Sequence, residues 1–155
     1  MTPERFKLQE GQPPSPSEIE PVTVQGFAEG TNQSDYILGS VLPDTILSFL
    51  GDDTIFGLGE SDVILTDEGR DEANGNQGND SIEGGSGDDS LRGGKGLDLL
   101  RGDSGDDSLF GDRDDDILEG GVGNDNNFGG KDNDVILGNG EEDSLMGDRG
   151  NDTIS

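Results

Sequence analysis

A period of nine residues runs through most of this chain, and it restricts the fold more than any other feature of the sequence. Residues 75–110 read GNQGNDSIE, GGSGDDSLR, GGKGLDLLR and GDSGDDSLF. Each of these blocks opens with Gly, has Gly again at its fourth place and Asp at its sixth, and carries Ile or Leu at its eighth. A unit this short cannot bury a core of its own, so the pattern predicts a structure built by stacking.

The period continues without insertion or deletion over residues 30–155, which makes 14 blocks. The first place is Gly except at Ser48 and Thr66, and the eighth place is Ile or Leu except at Ala73 and Asn127. One repeat therefore accounts for about four-fifths of the chain. The sixth place is Asp in every block: Asp35, Asp44, Asp53, Asp62, Asp71, Asp80, Asp89, Asp98, Asp107, Asp116, Asp125, Asp134, Asp143 and Asp152.

Each block divides into a loop and a short strand. The first six places are rich in Gly, Asp and Asn, which favour turns, and the last three are rich in strand-forming residues. Because neighbouring side chains of a strand point to opposite faces, the eighth residue can face inward while the seventh and ninth face out. Two blocks then make one turn, and stacked turns give two parallel sheets of very short strands with a single file of Ile and Leu between them.

The composition argues against an ordinary globular core. Only 26% of the residues are hydrophobic, 28 of 155 are Gly, and the formal charge is −27. Burying one Ile or Leu per block gains roughly 1.5–3 kcal/mol, whereas ordering each of nine residues costs about 1–2 kcal/mol. Stacked carboxylates also repel one another, so the fold needs a cation between its turns.

The available ligands indicate which cation this is. The chain has no His and no Cys, and carboxylate and carbonyl oxygens in flexible loops suit Ca²⁺ better than Zn²⁺ or Mg²⁺. One gap would take the sixth-place Asp of a block and that of the block two further on, for example Asp89 with Asp107. The candidate metal ligands are Asp53, Asp71, Asp80, Asp89, Asp98, Asp107, Asp116, Asp125, Asp134, Asp143 and Asp152.

The blocks GGSGDDSLR (84–92), GDSGDDSLF (102–110) and GDRGNDTIS (147–155) resemble the nonapeptide of the RTX family, the haemolysin-type calcium-binding repeat. The resemblance implies an all-β fold, a right-handed parallel β-roll (a β-solenoid) with several Ca²⁺ ions between the loops of successive turns. It also implies an exported protein that folds on meeting calcium outside the cell, at an extracellular or cell-surface location. Residues 1–10 are too polar for a Sec-type signal.

Three regions are expected along the chain. Residues 1–29 hold five of the six prolines and are predicted to be a flexible leader or linker, with a short strand near Val22 and Phe27. Residues 30–74 carry degenerate, more apolar repeats, of which 30–65 are expected to depend less on calcium than 75–155. Asn127 predicts a local defect. The uncovered edge at residue 155 suggests end-to-end self-association or covering domains of a parent protein.

Several function classes are disfavoured. The nine basic residues are scattered and the chain is strongly acidic, which predicts no binding to nucleic acid. The acidity also predicts no affinity for anionic lipid, and the apolar runs are too short for membrane insertion. Ice or glycan adhesion would need a regular outward array of Thr or aromatic residues, which Thr45, Thr54 and Thr153 are too few to form.

Three functions remain open at this stage. The leading one is a calcium-binding module that folds on loading, with a structural, secretion-linked or surface role. An acidic chain that sequesters ions without folding is the second, and the accessory roll of a larger exported enzyme or toxin is the third. Paired carboxylates such as Asp106 and Asp107 could in principle act as acid and base, but a core one residue wide leaves no room for a substrate pocket. No enzymatic activity is therefore predicted.

Overall fold

The computed structural model describes residues 5–7, 22–23 and 26–155, which form a coil of strands in two parallel sheets. Odd-numbered strands follow one another in a nine-stranded sheet, and even-numbered strands do so in an eight-stranded sheet. Within the repeats the pairing joins residues 18 apart, as for Leu91 and Leu109. Two blocks therefore make one turn, and the predicted all-β parallel solenoid with two sheets of short strands is confirmed.

The strands are short throughout. The nine-stranded sheet contains β1 Arg5–Lys7, β3 Phe27–Glu29, β5 Thr45–Leu47, β7 Val63–Leu65, β9 Ser81–Ser86, β11 Leu99–Ser104, β13 Ile117–Val122, β15 Val135–Asn139 and β17 Thr153–Ile154. The eight-stranded sheet contains β2 Val22–Thr23, β4 Tyr36–Leu38, β6 Thr54–Phe56, β8 Glu72–Gln77, β10 Ser90–Lys95, β12 Ser108–Arg113, β14 Asn126–Lys131 and β16 Ser144–Arg149.

The core is a single file of eighth-place side chains, as the alternation predicts. Ala28 extends this file before the first block, and Leu145 packs against its far end. Asn127 is also fully buried in the file, yet β14 runs through it without a break. The predicted defect is thus confined to the side chain. The buried apolar members within the blocks are Ile37, Ile46, Ile55, Ile64, Ala73, Ile82, Leu91, Leu100, Leu109, Leu118 and Ile136.

The strands in the second half are longer than the sequence suggests. From β8 to β16 they have five or six residues instead of three, because pairing continues through the first three places of the following block. The first-place glycines lie buried under the neighbouring chain in both halves of the coil, where a side chain would collide, so they permit the longer pairing without determining it. A Cβ at Gly102, for example, would lie 2.6 Å from the carbonyl oxygen of Gly120.

The sheets begin before the first block. β3 pairs with β5 and β2 pairs with β4, so among the described residues three strands, β1 to β3, precede residue 30. The five prolines of the predicted leader lie outside the described residues. Across the described part of the chain, no helix has the length and apolarity needed to cross a membrane.

Candidate metal-binding loops

The sixth-place aspartates are stacked into two ladders, one on each edge of the coil. The backbone N–H of each Asp donates to Oδ1 of the Asp 18 residues later, as from Asp89 to Asp107 at 2.8 Å. Twelve such bonds occur along the repeats. The side chains from Asp44 to Asp134 are at most 3% exposed, so the ladders place charged groups inside the protein.

In ten of these carboxylates the second oxygen has no partner. In eight of the ten it packs over the bare Cα of the first-place glycine in its own block, where a Cβ at Gly75 or Gly102 would collide with Oδ2 of Asp80 or Asp107. In the other two blocks the first place is Ser48 or Thr66. A buried charged oxygen without a partner is costly and calls for a proton or a cation. The ten aspartates whose Oδ2 is buried and unpaired are Asp53, Asp62, Asp71, Asp80, Asp89, Asp98, Asp107, Asp116, Asp125 and Asp134.

The first two blocks solve this problem without a ligand. Oδ2 of Asp35 accepts hydrogen bonds from the backbone N–H of Thr31 at 2.6 Å and from its hydroxyl at 3.0 Å. Oδ2 of Asp44 accepts one from the backbone N–H of Ser40 at 2.6 Å. These two loops are internally satisfied, and the change to unpaired oxygens comes at Asp53.

A second set of free oxygens lies in the loops. Gly87 and Gly105, at the fourth place, have φ angles of 134° and 137°, a region that favours glycine. A Cβ at Gly87 would collide with the carbonyl oxygen of Gly69, and one at Gly105 with that of Gly87. These fourth-place carbonyls therefore point along the stack, and within the described residues they accept no hydrogen bond.

The loop geometry persists where the sequence departs from the pattern. Glu60, Asp114 and Asp132 replace the fourth-place glycine and still have φ angles of 62°, 73° and 77°. At the second place Phe49 and Leu58 have φ angles of 77° and 85°, which are outliers for bulky residues. Stacking on the neighbouring turns thus imposes the backbone conformation even on side chains that oppose it.

Burial raises the pKa of the ladder carboxyls. The pKa of Asp116 rises to about 8 and that of Asp107 to about 6. The facing carboxylates of neighbouring turns raise these values further, while the N–H bond to Oδ1 lowers them. The ladder thus favours either protonation or a compensating positive charge. The pKa rises to about 7 at Asp53, Asp62, Asp89 and Asp98.

The donor set fits a hard cation. It consists of carboxylate and carbonyl oxygens, which Ca²⁺ prefers. Within residues 5–7, 22–23 and 26–155, no three or more acidic side chains converge as a metal-binding group. A cation would therefore have to complete its shell with loop carbonyls. Among the predicted ligands, Asp143 and Asp152 accept their N–H bonds but are only half-buried.

The sequence matches the family model of the RTX calcium-binding nonapeptide repeat in four copies, over residues 29–64, 65–100, 92–126 and 128–154. No curated protein matches the chain significantly. The matched segments include both the degenerate blocks before residue 75 and the regular blocks after it. The match concerns the repeats alone, and no catalytic domain is evident.

Proposed function

Because the chain belongs to the RTX calcium-binding nonapeptide repeat family, we propose that it is a non-catalytic module that folds on binding several Ca²⁺ ions between its turns. The observation that carries this proposal is the set of ten buried Oδ2 atoms without a partner. Ca²⁺ would bind the coil and not the unfolded chain, so its binding free energy becomes folding free energy.

The two carboxylate oxygens of each ladder aspartate have different roles. Oδ1 of Asp107 accepts the N–H of Asp89 and so holds the turns in register. Oδ2 remains available, and the free carbonyls of Gly69 and Gly87 line the loops of the same edge. Bound Ca²⁺ supplies the positive charge that offsets these oxygens. The ligands proposed are the eleven sixth-place aspartates expected from the sequence, completed by loop carbonyls. Asp62, which the sequence analysis leaves out, is added because its Oδ2 is also buried and unpaired.

The proposed setting is outside the cell. Sites of extracellular calcium modules bind at roughly 10⁻⁴–10⁻³ M, so a chain with such sites stays loose at cytosolic calcium and folds after export. A structural, secretion-linked or surface role follows, either in this protein alone or as the accessory roll of a larger exported protein.

A calcium titration of the full chain followed by circular dichroism tests the proposal. We expect β signal to rise cooperatively, and calorimetry to count several ions per chain. Mg²⁺ serves as the matched control and should be much less effective, because it demands stricter geometry. If the β signal has not risen by ~10 mM Ca²⁺, the proposal is overturned, because this concentration exceeds the dissociation constants of even the weakest extracellular sites. Calcium uptake without β signal would support the ion-sequestering chain instead.

A further inference from the structure

The sequence contains two Asn-Gly pairs, and the fold places them in different surroundings. They are Asn74–Gly75 and Asn139–Gly140. In such a pair the backbone nitrogen of Gly can reach the side-chain amide carbon of Asn, because Gly has no Cβ in the way and has the widest choice of backbone angles. Whether a pair reacts in the folded protein then depends on whether it is exposed and whether that nitrogen is free.

The first pair is enclosed in the eight-stranded sheet. Asn74 and Gly75 lie inside β8, where Asn74 pairs with Phe56 on one side and with Arg92 on the other. Gly75 is buried, and so is the side-chain oxygen of Asn74. The backbone here is fixed between two neighbouring strands. A reaction between Gly75 and Asn74 therefore requires β8 to open.

The second pair lies open to solvent. Asn139 is the last residue of β15, and Gly140 lies just beyond the strand. Both residues are exposed. The N–H of Gly140 makes no backbone hydrogen bond within residues 26–155, whereas the N–H at the same third place of an earlier block, that of Ser86, donates to the carbonyl of Asp67 at 2.7 Å. The nitrogen of Gly140 is thus free to react without any strand opening.

Asparagines at the fifth place are held by hydrogen bonds between turns. Oδ1 of Asn79 accepts the N–H of Leu97 at 3.0 Å. The N–H of Asp80, which would have to attack Asn79, is itself bonded to Oδ1 of Asp98 at 2.8 Å. Asn139 occupies the second place of its block, outside this row of fifth-place side chains. The other fifth-place asparagines, whose Nδ2 donates to the turn before, are Asn124, Asn133 and Asn151.

We propose that Asn139 is a site of spontaneous deamidation in the folded protein. The backbone nitrogen of Gly140 loses its proton to water and attacks Cγ of Asn139, so that a C–N bond forms and the side-chain nitrogen takes up a proton and leaves as ammonia. Water then opens the cyclic succinimide. Opening at Cγ gives an aspartate, and opening at the backbone carbonyl gives an isoaspartate. Nothing is oxidised or reduced, and water is the only co-reactant.

An isoaspartate at this position would disturb the loop that carries Asp143. Oδ2 of Asp143 lies where a Cβ of Gly138 would be, and its Oδ1 accepts the N–H of Asp125 at 3.0 Å. The isoaspartyl link adds a methylene group to the main chain between Gly138 and Asp143, so it shifts the carboxylate away from these contacts. We therefore expect deamidation to loosen the last turn, β16 and β17. Only the loss of calcium at Asp143 rests on the proposed function.

The test incubates the full chain in heavy-oxygen water at mildly alkaline pH and saturating calcium, and then maps its peptides by mass spectrometry. Because the oxygen comes from water, the label marks only deamidation that occurs during the incubation. Asn74–Gly75 is the matched control within the same chain. The control variant is Asn139→Gln, whose longer side chain forms its ring much more slowly. Circular dichroism of each sample shows separately whether the chain is folded.

In the folded chain we expect the label to enter at Asn139 at least about tenfold faster than at Asn74, because Asn74 reacts only from an open form of β8. In a chain unfolded by denaturant the two rates should converge. Equal rates in the folded chain, or no label at Asn139, would overturn the inference, as would a difference that persists after unfolding. None of these results depends on calcium binding, so a failure of the proposed function would be seen separately in the calcium titration.

The effect on the last turn is measured on the same incubated samples. The urea midpoint in calcium should fall in the parent chain as isoaspartate accumulates, and it should stay unchanged in Asn139→Gln. An unchanged midpoint in a parent sample that contains isoaspartate at residue 139 would overturn the expected loosening of β16 and β17.

Discussion

The backbone N–H of Asp89 donates to Oδ1 of Asp107 at 2.8 Å, while Oδ2 of Asp107 has no partner. The substitution Asp107→Asn keeps an acceptor for Asp89 and removes the charge, so it separates the two roles of this side chain. We expect calorimetry to find at least one bound Ca²⁺ fewer. The control Asp106→Asn removes the same charge from the exposed neighbour and should leave the count unchanged. Equal numbers of bound Ca²⁺ ions in the parent chain and in Asp107→Asn would argue against Asp107 as a ligand.

Gly87 should resist substitution because of its backbone and its surroundings. Its φ of 134° and the nearby carbonyl of Gly69 both exclude a Cβ. We expect Gly87→Ala to destabilise the calcium-loaded fold by at least about 1–2 kcal/mol, the cost of a left-handed conformation. The control is Gly59→Ala, whose Cβ would meet only Val41 Cα at 3.6 Å. Urea unfolding in calcium measures the stability of both variants. Similar losses of stability would contradict the constraint on the backbone at Gly87.

Asn127 is the polar interruption of the core. It is fully buried, its Oδ1 has no partner, and its Nδ2 reaches the carbonyl of Leu137 only at 3.4 Å. Replacing it by Leu removes an unsatisfied polar group, which should stabilise the loaded fold by about 1–3 kcal/mol. Asn126→Leu, on the exposed face of the same strand, is the control. A loss of stability in Asn127→Leu would mean that the amide has a structural role.

The stability of the metal-free fold should fall as the pH rises. The ladder carboxyls titrate near 3.8 when unfolded, whereas the pKa of folded Asp98 is about 7 and that of Asp116 about 8. The folded chain then binds more protons, so stability is greatest below about pH 4 and is lost as pH rises through 6 to 8. Circular dichroism without calcium should show more β structure at pH 4.5 than at pH 8, and the reverse order would contradict the burial of these charges.

Hydrogen exchange at limiting calcium should show at which point along the chain the folded structure begins to depend on Ca²⁺. Both carboxylate oxygens of Asp44 accept backbone N–H groups, Oδ1 from Gly26 and Oδ2 from Ser40. Oδ2 of Asp35 is held by Thr31, whereas Oδ2 of Asp53 has no partner. We expect amides of residues 30–47 to keep their protection longer than those of 75–137 as calcium is withdrawn. Simultaneous loss in both regions would indicate one cooperative unit.

Much of the architecture follows from the sequence because a nine-residue period admits few arrangements. Asp at the sixth place and Ile or Leu at the eighth are enough to predict the file from Ile37 to Ile136 and the pairing of residues 18 apart. The strand length is not predictable in this way, because β4 stops before Gly39 whereas β11 continues through Gly102, although the neighbouring turn crowds both glycines.

The site is only partly readable from the sequence. The spacing predicts that Asp89 and Asp107 stack, but it does not tell which oxygen bonds the backbone and which stays free. The self-satisfied loops at Thr31 and Ser40 depend on local geometry that composition does not encode. The alignment of Lys95 with Arg113, one turn apart, is missed by the sequence analysis, because it becomes apparent only when the third places of alternate blocks are compared.

The ladders connect each aspartate only to the residues one turn before and one turn after it. Such a molecule behaves as a one-dimensional lattice in which each 18-residue cell interacts with its nearest neighbours alone. Adding or deleting a cell should change the length by one strand spacing, about 4.8 Å, and the stability by a constant increment. Tandem duplication can therefore lengthen this protein without redesigning any contact already present.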